Sequence, residues 1–170
     1  MKKALGVLIL VAGTWVCAQA QVGMYAAFGA SDYRQPNVNW QYGPMAGVYW
    51  EPLGVPFIKA GVDLRGSWMG SGDTQDQSYL AGPRVQLHPH VLPLMPYGEV
   101  LGGVSRVVVG QGVALSAGTK FTWALVAGLD ATVLPHLDWR VVDYSWERVE
   151  DLGIDFSPEQ ISTGLVLRLP

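Results

Sequence analysis

Long stretches of this chain alternate apolar and polar residues with a period of two, and this pattern limits the possible folds more than any other feature. In the segment Ile58–Trp68, even-numbered positions are apolar apart from Gly66, and odd-numbered positions are polar, charged or small. The same alternation runs through Phe121–Asp130 and Ile161–Leu169. Successive side chains of a β-strand point to opposite faces, so the pattern predicts strands with one broad apolar face.

Turn residues divide the chain after residue 20 into eight predicted strands. We place them at 22–31, 40–50, 57–69, 78–88, 95–109, 120–133, 138–147 and 160–169. Most have about 10 to 12 residues, close to the roughly 9 to 11 that a tilted strand needs to cross a membrane. The usual globular strand is shorter, with about 5 to 6 residues.

The predicted connections also alternate in character. Polar or glycine-rich loops at 31–39, 70–77, 110–119 and 148–159 alternate with short turns containing proline at 51–56 and 134–137. Long loops at one end and short turns at the other are typical of outer-membrane β-barrels, whose short turns lie in the periplasm.

Composition favours an apolar face that contacts lipid. Of the 170 residues, 49% are hydrophobic and only 15% are charged, and the mean hydropathy is +0.21. No uninterrupted apolar run approaches the roughly 20 residues of a membrane-spanning helix. The net charge is −3, whereas proteins that bind nucleic acid usually carry an excess of basic residues. Nucleic acid is therefore not expected as a partner.

The first twenty residues predict an export signal. Lys2-Lys3 form a basic start, Ala4–Val16 is an apolar run, and Ala18-Gln19-Ala20 is a small-residue cleavage site. We therefore expect a signal peptide at 1–20, cleaved between Ala20 and Gln21, and one barrel domain at 21–170.

The charged face of each strand is too sparse and too small for a surface in water. Glycines share this face with charges, as at Gly61, Asp63 and Arg65. Such a face suits a narrow lumen, where an unpaired ion would be strongly penalised. We therefore predict an internal charge network in which the acidic members face arginines. Its predicted members are Lys59, Asp63, Arg65, Arg84, Glu99, Asp130, Arg140 and Arg168.

Tryptophans are expected to mark the two membrane interfaces. Trp40 and Trp50 share a strand face and lie ten residues apart, which is about 33 Å of strand, or about 25 Å of height at a tilt near 40°. That height matches the apolar band between the two aromatic girdles of an outer-membrane barrel. The predicted girdle residues are Trp40, Trp50, Trp68, Trp123, Trp139 and Trp146.

Together these features resemble the small eight-stranded outer-membrane barrel family, of the OmpA and OmpX transmembrane-domain type. Local matches are Pro96-Tyr97-x-Glu99, then Gly128-Leu129-Asp130 followed by Asp138–Tyr144, and finally Ser162–Leu165. The chain departs from the family pattern in ending Leu169-Pro170 rather than with an aromatic residue.

The resemblance implies an all-β, antiparallel, up-and-down transmembrane barrel of eight strands in the outer membrane of a Gram-negative-type bacterium. It also implies contacts with outer-membrane lipid and with the barrel-insertion machinery, and loops that meet an unknown extracellular partner. The register of the seventh strand stays open, because Arg140 and Asp143 both face inward only if a β-bulge separates them.

Residue patterns for catalysis or metal binding are weak. His88, His90 and His136 fall at the predicted periplasmic end, and the His-x-His pair supplies only two ligands for a metal. Ser116 lies in a segment that faintly resembles a nucleophile elbow but lacks the following helix. We predict no enzymatic activity, no cofactor and no metal site, with an outer-leaflet lipid hydrolase using Ser116 as the enzymatic alternative.

The predicted function is a structural, adhesive or envelope-integrity role for a barrel with a lumen filled by side chains, since eight strands enclose little more than that. One alternative is a narrow transporter for small or hydrophobic solutes, which needs an axial or lateral opening. A second is a secreted soluble ligand carrier, in which Trp123, Leu125 and Leu129 would surround an internal cavity.

Overall fold

Eight strands close into a barrel in which each strand pairs antiparallel with its neighbours in the chain and the last pairs with the first. This computed structural model describes residues 21–34, 39–72, 74–89, 92–108, 119–150 and 157–169. The strands are β1 (Gln21–Asp32), β2 (Gln41–Val55), β3 (Ile58–Ser71), β4 (Thr74–Leu87), β5 (Leu94–Val108), β6 (Thr119–Leu134), β7 (Leu137–Val149) and β8 (Glu159–Leu169). The predicted all-β, up-and-down barrel is confirmed. Within the described residues, no helix is long and apolar enough to cross a membrane.

Two predicted connections are wrong. The predicted loop 70–77 is a hairpin in which Ser71 pairs with Thr74, because Gly72 adopts φ +58 and so allows a tight reversal between polar strand ends. The predicted turn 51–56 contains the end of β2, which continues to Val55 after a register shift between Trp50 and Leu53. Backbone pairing continues through both segments because it does not depend on how polar the side chains are.

The two ends of the barrel differ in their connections. Gln21 and Leu169 lie at the end that carries the short connections between β2 and β3, β4 and β5, and β6 and β7, which we call the turn end. The opposite end, which we call the loop end, carries the connections after β1, β3, β5 and β7. Most of the predicted loops 110–119 and 148–159 lies outside the described residues.

Apolar side chains cover the outside of the barrel, and charged side chains fill the inside. Val62, Leu125 and Leu165 expose 48%, 45% and 55% of their surface, whereas Asp63 and Asp130 expose none. A closed barrel pairs the backbone of every strand, which is what hydrocarbon requires of a chain that crosses it. The exterior therefore suits lipid, and the interior is separated from it by one layer of backbone.

A bulge in β7 decides which side chains of this strand face the lumen. The register with β8 shifts between Arg140 and Asp143, and a matching shift against β6 lies between Leu129 and Asp130. The shift changes the alternation, so Arg140 and Asp143 both point inward and are fully buried.

Candidate functional site

Three arginines and five carboxylates occupy the middle of the lumen. Arg84 and Arg140 are completely buried, and Arg65 is only 5% exposed. We call the following eight residues the lumen network: Arg65, Arg84, Arg140, Glu51, Asp63, Glu99, Asp130 and Asp143.

Arg84 lies at the centre of the network and contacts carboxylates from three other strands. Its Nε donates to Glu51 Oε1 at 3.1 Å, its Nη1 donates to Glu99, and its Nη2 donates to Asp130 Oδ2 at 3.3 Å. Asp130 also accepts from Arg140 Nε at 3.1 Å. These bonds connect β2, β4, β5, β6 and β7 across the lumen.

Arg65 extends the network from β3. Its two terminal nitrogens donate to both oxygens of Asp143 at 3.0 and 2.8 Å, a bidentate arrangement that fixes the guanidinium plane. The same side chain donates to Glu99 Oε2 at 2.9 Å. Glu99 therefore bridges Arg65 and Arg84, so the described contacts form one continuous network.

Tyrosine rings pack against the guanidinium groups of the lumen network. The Arg84 guanidinium lies 4.4 Å from the ring centre of Tyr49 and 3.9 Å from that of Tyr97. Arg140 lies 4.0 Å from the ring centre of Tyr25. Cation–π contacts of this kind are strongest where water is excluded. These tyrosines were not among the predicted lumen residues, although the alternation along their strands places them on the inward face.

Each of the three rings lies over a glycine of the neighbouring strand. Tyr49 is paired with Gly23, Tyr25 with Gly47, and Tyr97 with Gly128. A Cβ atom added to any of these glycines would lie 2.1 to 2.3 Å from the Cζ of its partner ring. Inward-facing glycines therefore provide the space in which the tyrosines reach the arginines.

We expect Gly128→Ala to lower the free energy of unfolding by about 1–3 kcal/mol, the usual effect of overpacking. The new methyl group would displace Tyr97, which stacks on Arg84 and donates a hydrogen bond to Asp143. Urea unfolding in lipid vesicles, followed by tryptophan fluorescence, measures the difference. Gly98→Ala is the matched control, because an added Cβ there has no neighbour closer than 3.8 Å. Equal stability of the two variants would show that the ring has room to move.

The structure places the eight predicted network residues in two groups. Asp63, Arg65, Arg84, Glu99, Asp130 and Arg140 come together in the lumen network. Lys59 and Arg168 lie apart from it, at the turn end, and are only partly buried. Arg168 contacts Asp138 Oδ2 at 2.7 Å, and Lys59 contacts Gln21.

Glu51 and Asp138 were missed as inward-facing carboxylates. Glu51 falls in the predicted turn 51–56, but it continues the inward parity of Met45 and Tyr49. Extending the alternation through Glu51 would have identified it. Asp138 begins the predicted strand 138–147. Because the register of this strand was ambiguous, the sequence did not show which way the Asp138 side chain points.

The loop-end half of the lumen is lined by hydroxyl groups together with buried amides and carboxylates, including Gln41 and Glu147. Ser67 and Ser78 lie 2.7 Å apart across β3 and β4. Tyr33, just beyond β1, is buried in this half and donates a hydrogen bond to Asp76. Burial, together with the nearby Asp76 carboxylate, raises the pKa of Tyr33, so the phenol stays protonated and can donate. Asp76 falls in the predicted loop 70–77, yet it is buried.

The tryptophans lie near both ends of the apolar exterior. Trp40, Trp68, Trp123 and Trp146 lie toward the loop end, and Trp50 and Trp139 lie toward the turn end. Trp123 and Trp146 pack edge to face with ring centres 5.2 Å apart. Trp68 and Tyr79 form a similar pair, with ring centres 5.8 Å apart.

The candidate catalytic and metal-binding residues do not form a site in the described part of the chain. Ser116 and His90 lie outside the described residues, and His88 and His136 lie at the turn end. Among the residues that the structure describes, no group of three or more His, Cys, Asp or Glu is arranged to hold a metal ion.

Comparison with known proteins shows similarity in structure alone. No protein-family model and no curated sequence matches the chain. Neisserial surface protein A matches with a TM-score of 0.58 and 15% identity, over 87% of this chain and 96% of that one. Ail, the attachment invasion locus protein of Yersinia pestis, matches with a TM-score of 0.57 and 14% identity, over 88% and 97%.

An outer-membrane enzyme, PagL, is also similar, with a TM-score of 0.51 and 16% identity over 87% of this chain and 99% of that one. Identities this low show that the folds are alike. They do not assign the activity of any of these proteins to this chain. The chain has the fold of the small eight-stranded outer-membrane β-barrels. This is shown by the closed sheet, by the apolar exterior with charges inside, and by the similarity to these structures.

Proposed function

We propose that this protein is a non-conducting outer-membrane β-barrel with a structural, adhesive or envelope-integrity role. The observation that carries the proposal is the blocked middle of the lumen, where Arg84 and Arg140 are completely buried among carboxylates and tyrosine rings. The outer-membrane location is supported by the fold and by the apolar exterior. The adhesive possibility is supported by the likeness to the attachment protein Ail.

A narrow transporter is less well supported, because an axial path would cross the lumen network. A solute at the level of Arg84 would have to separate this side chain from Glu99 and Asp130, leaving buried charges without partners. That separation is costly in a low-dielectric interior. The network therefore favours a closed lumen.

The soluble carrier is contradicted by the direction of the side chains. It requires Trp123, Leu125 and Leu129 around an internal cavity, but Leu125 lies on the outside of the barrel and is 45% exposed. The interior of the same strand carries Thr122, Ala124, Val126 and Asp130 instead. The carrier hypothesis is therefore wrong.

An enzymatic role is supported only by the likeness to PagL. If the protein were a lipid hydrolase that uses Ser116, its overproduction would change the lipid composition of the outer membrane, and Ser116→Ala would not. We expect equal lipid profiles for both proteins. A change seen only with the wild-type chain would contradict the non-enzymatic proposal.

Conductance across a planar lipid bilayer tests the central proposal. We expect no conductance steps from the wild-type barrel under conditions in which a general porin shows them. The double variant Arg84→Ala/Glu99→Ala removes one cation and one anion that contact each other, so we expect a measurable leak without a change in net charge. A heat-dependent gel shift confirms that each protein is folded. Regular conductance steps from the wild-type barrel would overturn the proposal.

A further inference from the structure

A shallow groove of about 410 Å³ interrupts the outer surface of β3, β4 and β5 in the loop-end half of the barrel. Its lining includes three small residues at outward positions, Gly66, Ala81 and Gly102. The side chains of Leu64, Trp68 and Tyr79 form its walls. The groove lies within the apolar exterior, so the described surface around it is also apolar.

The register of three strands brings the small residues together. Leu64 pairs with Ala81, which pairs with Gly102, and Gly66 pairs with Tyr79. A Cβ added to Gly66 would lie 2.9 Å from Cη2 of Trp68, which shows that the indole lies over this glycine and forms one wall. The small residues thus form a recess bounded by large rings.

A polar group lies at the loop-end edge of the groove. The indole nitrogen of Trp68 donates to Tyr79 Oη at 3.0 Å. Because the indole supplies the hydrogen of this bond, the O–H of Tyr79 can donate to another acceptor. Amphipathic aromatic rings prefer the level of the lipid head groups. Ala81 lies two residues further along β4, which is about 5 Å closer to the bilayer centre at 3.3 Å per residue and a tilt near 40°.

We propose that this groove binds one acyl chain of a lipid in the leaflet at the loop end, with the ester group of that lipid accepting a hydrogen bond from Tyr79. The occupant follows from the position of the groove, since the surface around it contacts hydrocarbon. A chain in the groove contacts carbon atoms on three sides, whereas a chain elsewhere on the barrel contacts them on one side. This inference rests on the membrane placement in the proposed function.

Photolabelling with a lipid probe tests the proposal. The full barrel is placed in vesicles of phosphatidylethanolamine and phosphatidylglycerol with a trace of phosphatidylethanolamine carrying a diazirine within one acyl chain. Peptide mapping after irradiation should find the label concentrated on the groove residues of β3, β4 and β5. Gly102→Leu fills the recess and should reduce this labelling about fivefold, because several carbon contacts are lost together.

Gly98→Leu is the matched control, since Gly98 faces outward on the same strand but does not line the groove. It should leave the labelling unchanged, and a heat-dependent gel shift shows that both variants are folded. Tyr79→Phe should weaken the labelling while keeping the apolar walls.

The possible results distinguish a failure of the proposed acyl-chain site from a failure of the proposed membrane placement. Even labelling around the barrel, unaffected by Gly102→Leu, would overturn the acyl-chain site while supporting the membrane placement. Absence of label from all outward-facing residues would overturn the placement itself. Label on the rest of the outward-facing surface but absent from the groove residues, in both the wild-type barrel and Gly102→Leu, would overturn the proposal by showing that lipid is excluded from the groove.

Discussion

Replacing Arg84 with methionine is expected to lower the free energy of unfolding by about 3–5 kcal/mol, the usual cost of removing one partner from a buried ion pair. Methionine keeps much of the side-chain volume, so the expected loss is mainly electrostatic. Glu51, Glu99 and Asp130 would lose the cation that they share. The lumen network would then hold two arginines against five carboxylates. Urea unfolding in lipid vesicles measures the change.

A matched control comes from an arginine outside the lumen. Arg106 on β5 is exposed, so Arg106→Met should change stability by no more than about 0.5 kcal/mol. Adding Glu99→Gln to Arg84→Met should recover part of the lost stability, because it removes one of the unpaired negative charges. If Arg84→Met and Arg106→Met were equally stable, the lumen network would not hold the barrel closed.

Placing a charge on the lipid face gives the second large expected effect. Val62 lies on the outside of β3, near the middle of the outward-facing apolar stretch from Ile58 to Trp68, and is 48% exposed. Val62→Arg should lower the free energy of unfolding in a bilayer by about 2–4 kcal/mol, because the guanidinium would enter hydrocarbon near the bilayer midplane. Vesicle-based unfolding of the two proteins measures the difference.

Ile58→Arg is the control for this change, since Ile58 faces outward on the same strand at the turn end. There the cost should fall to about 0–1 kcal/mol, as expected near a membrane interface. A barrel whose outside faced water would tolerate both substitutions equally. Equal stability of the two variants would therefore count against the membrane placement.

Much of the lumen network follows from strand parity, which is a local property. Asp63 and Arg65 alternate with Val62 and Leu64, so the sequence separates the two faces of β3 before any contact is known. The bulge of β7 is a different case. Parity allows Arg140 and Asp143 to face the same way only after a bulge, and the sequence offers no means of placing it.

The ends of the strands are not marked by polarity where a strand continues beyond its apolar stretch. Glu51 and Asp76 lie in segments that are polar enough to predict a turn and a loop, but both side chains are buried. Their strands continue because paired backbone groups stabilise a hairpin whatever its side chains are. Side-chain polarity therefore did not indicate where the strands end.

The sequence by itself determined eight strands, their apolar outward faces and the charges on their inward faces, because a period of two is encoded in neighbouring residues. Only the tertiary structure decided which charges meet. Arg65 and Asp143 are 78 residues apart, and Arg84 and Glu99 are 15 apart. These pairs form across a lumen whose geometry depends on closure and register around all eight strands, which no single segment specifies.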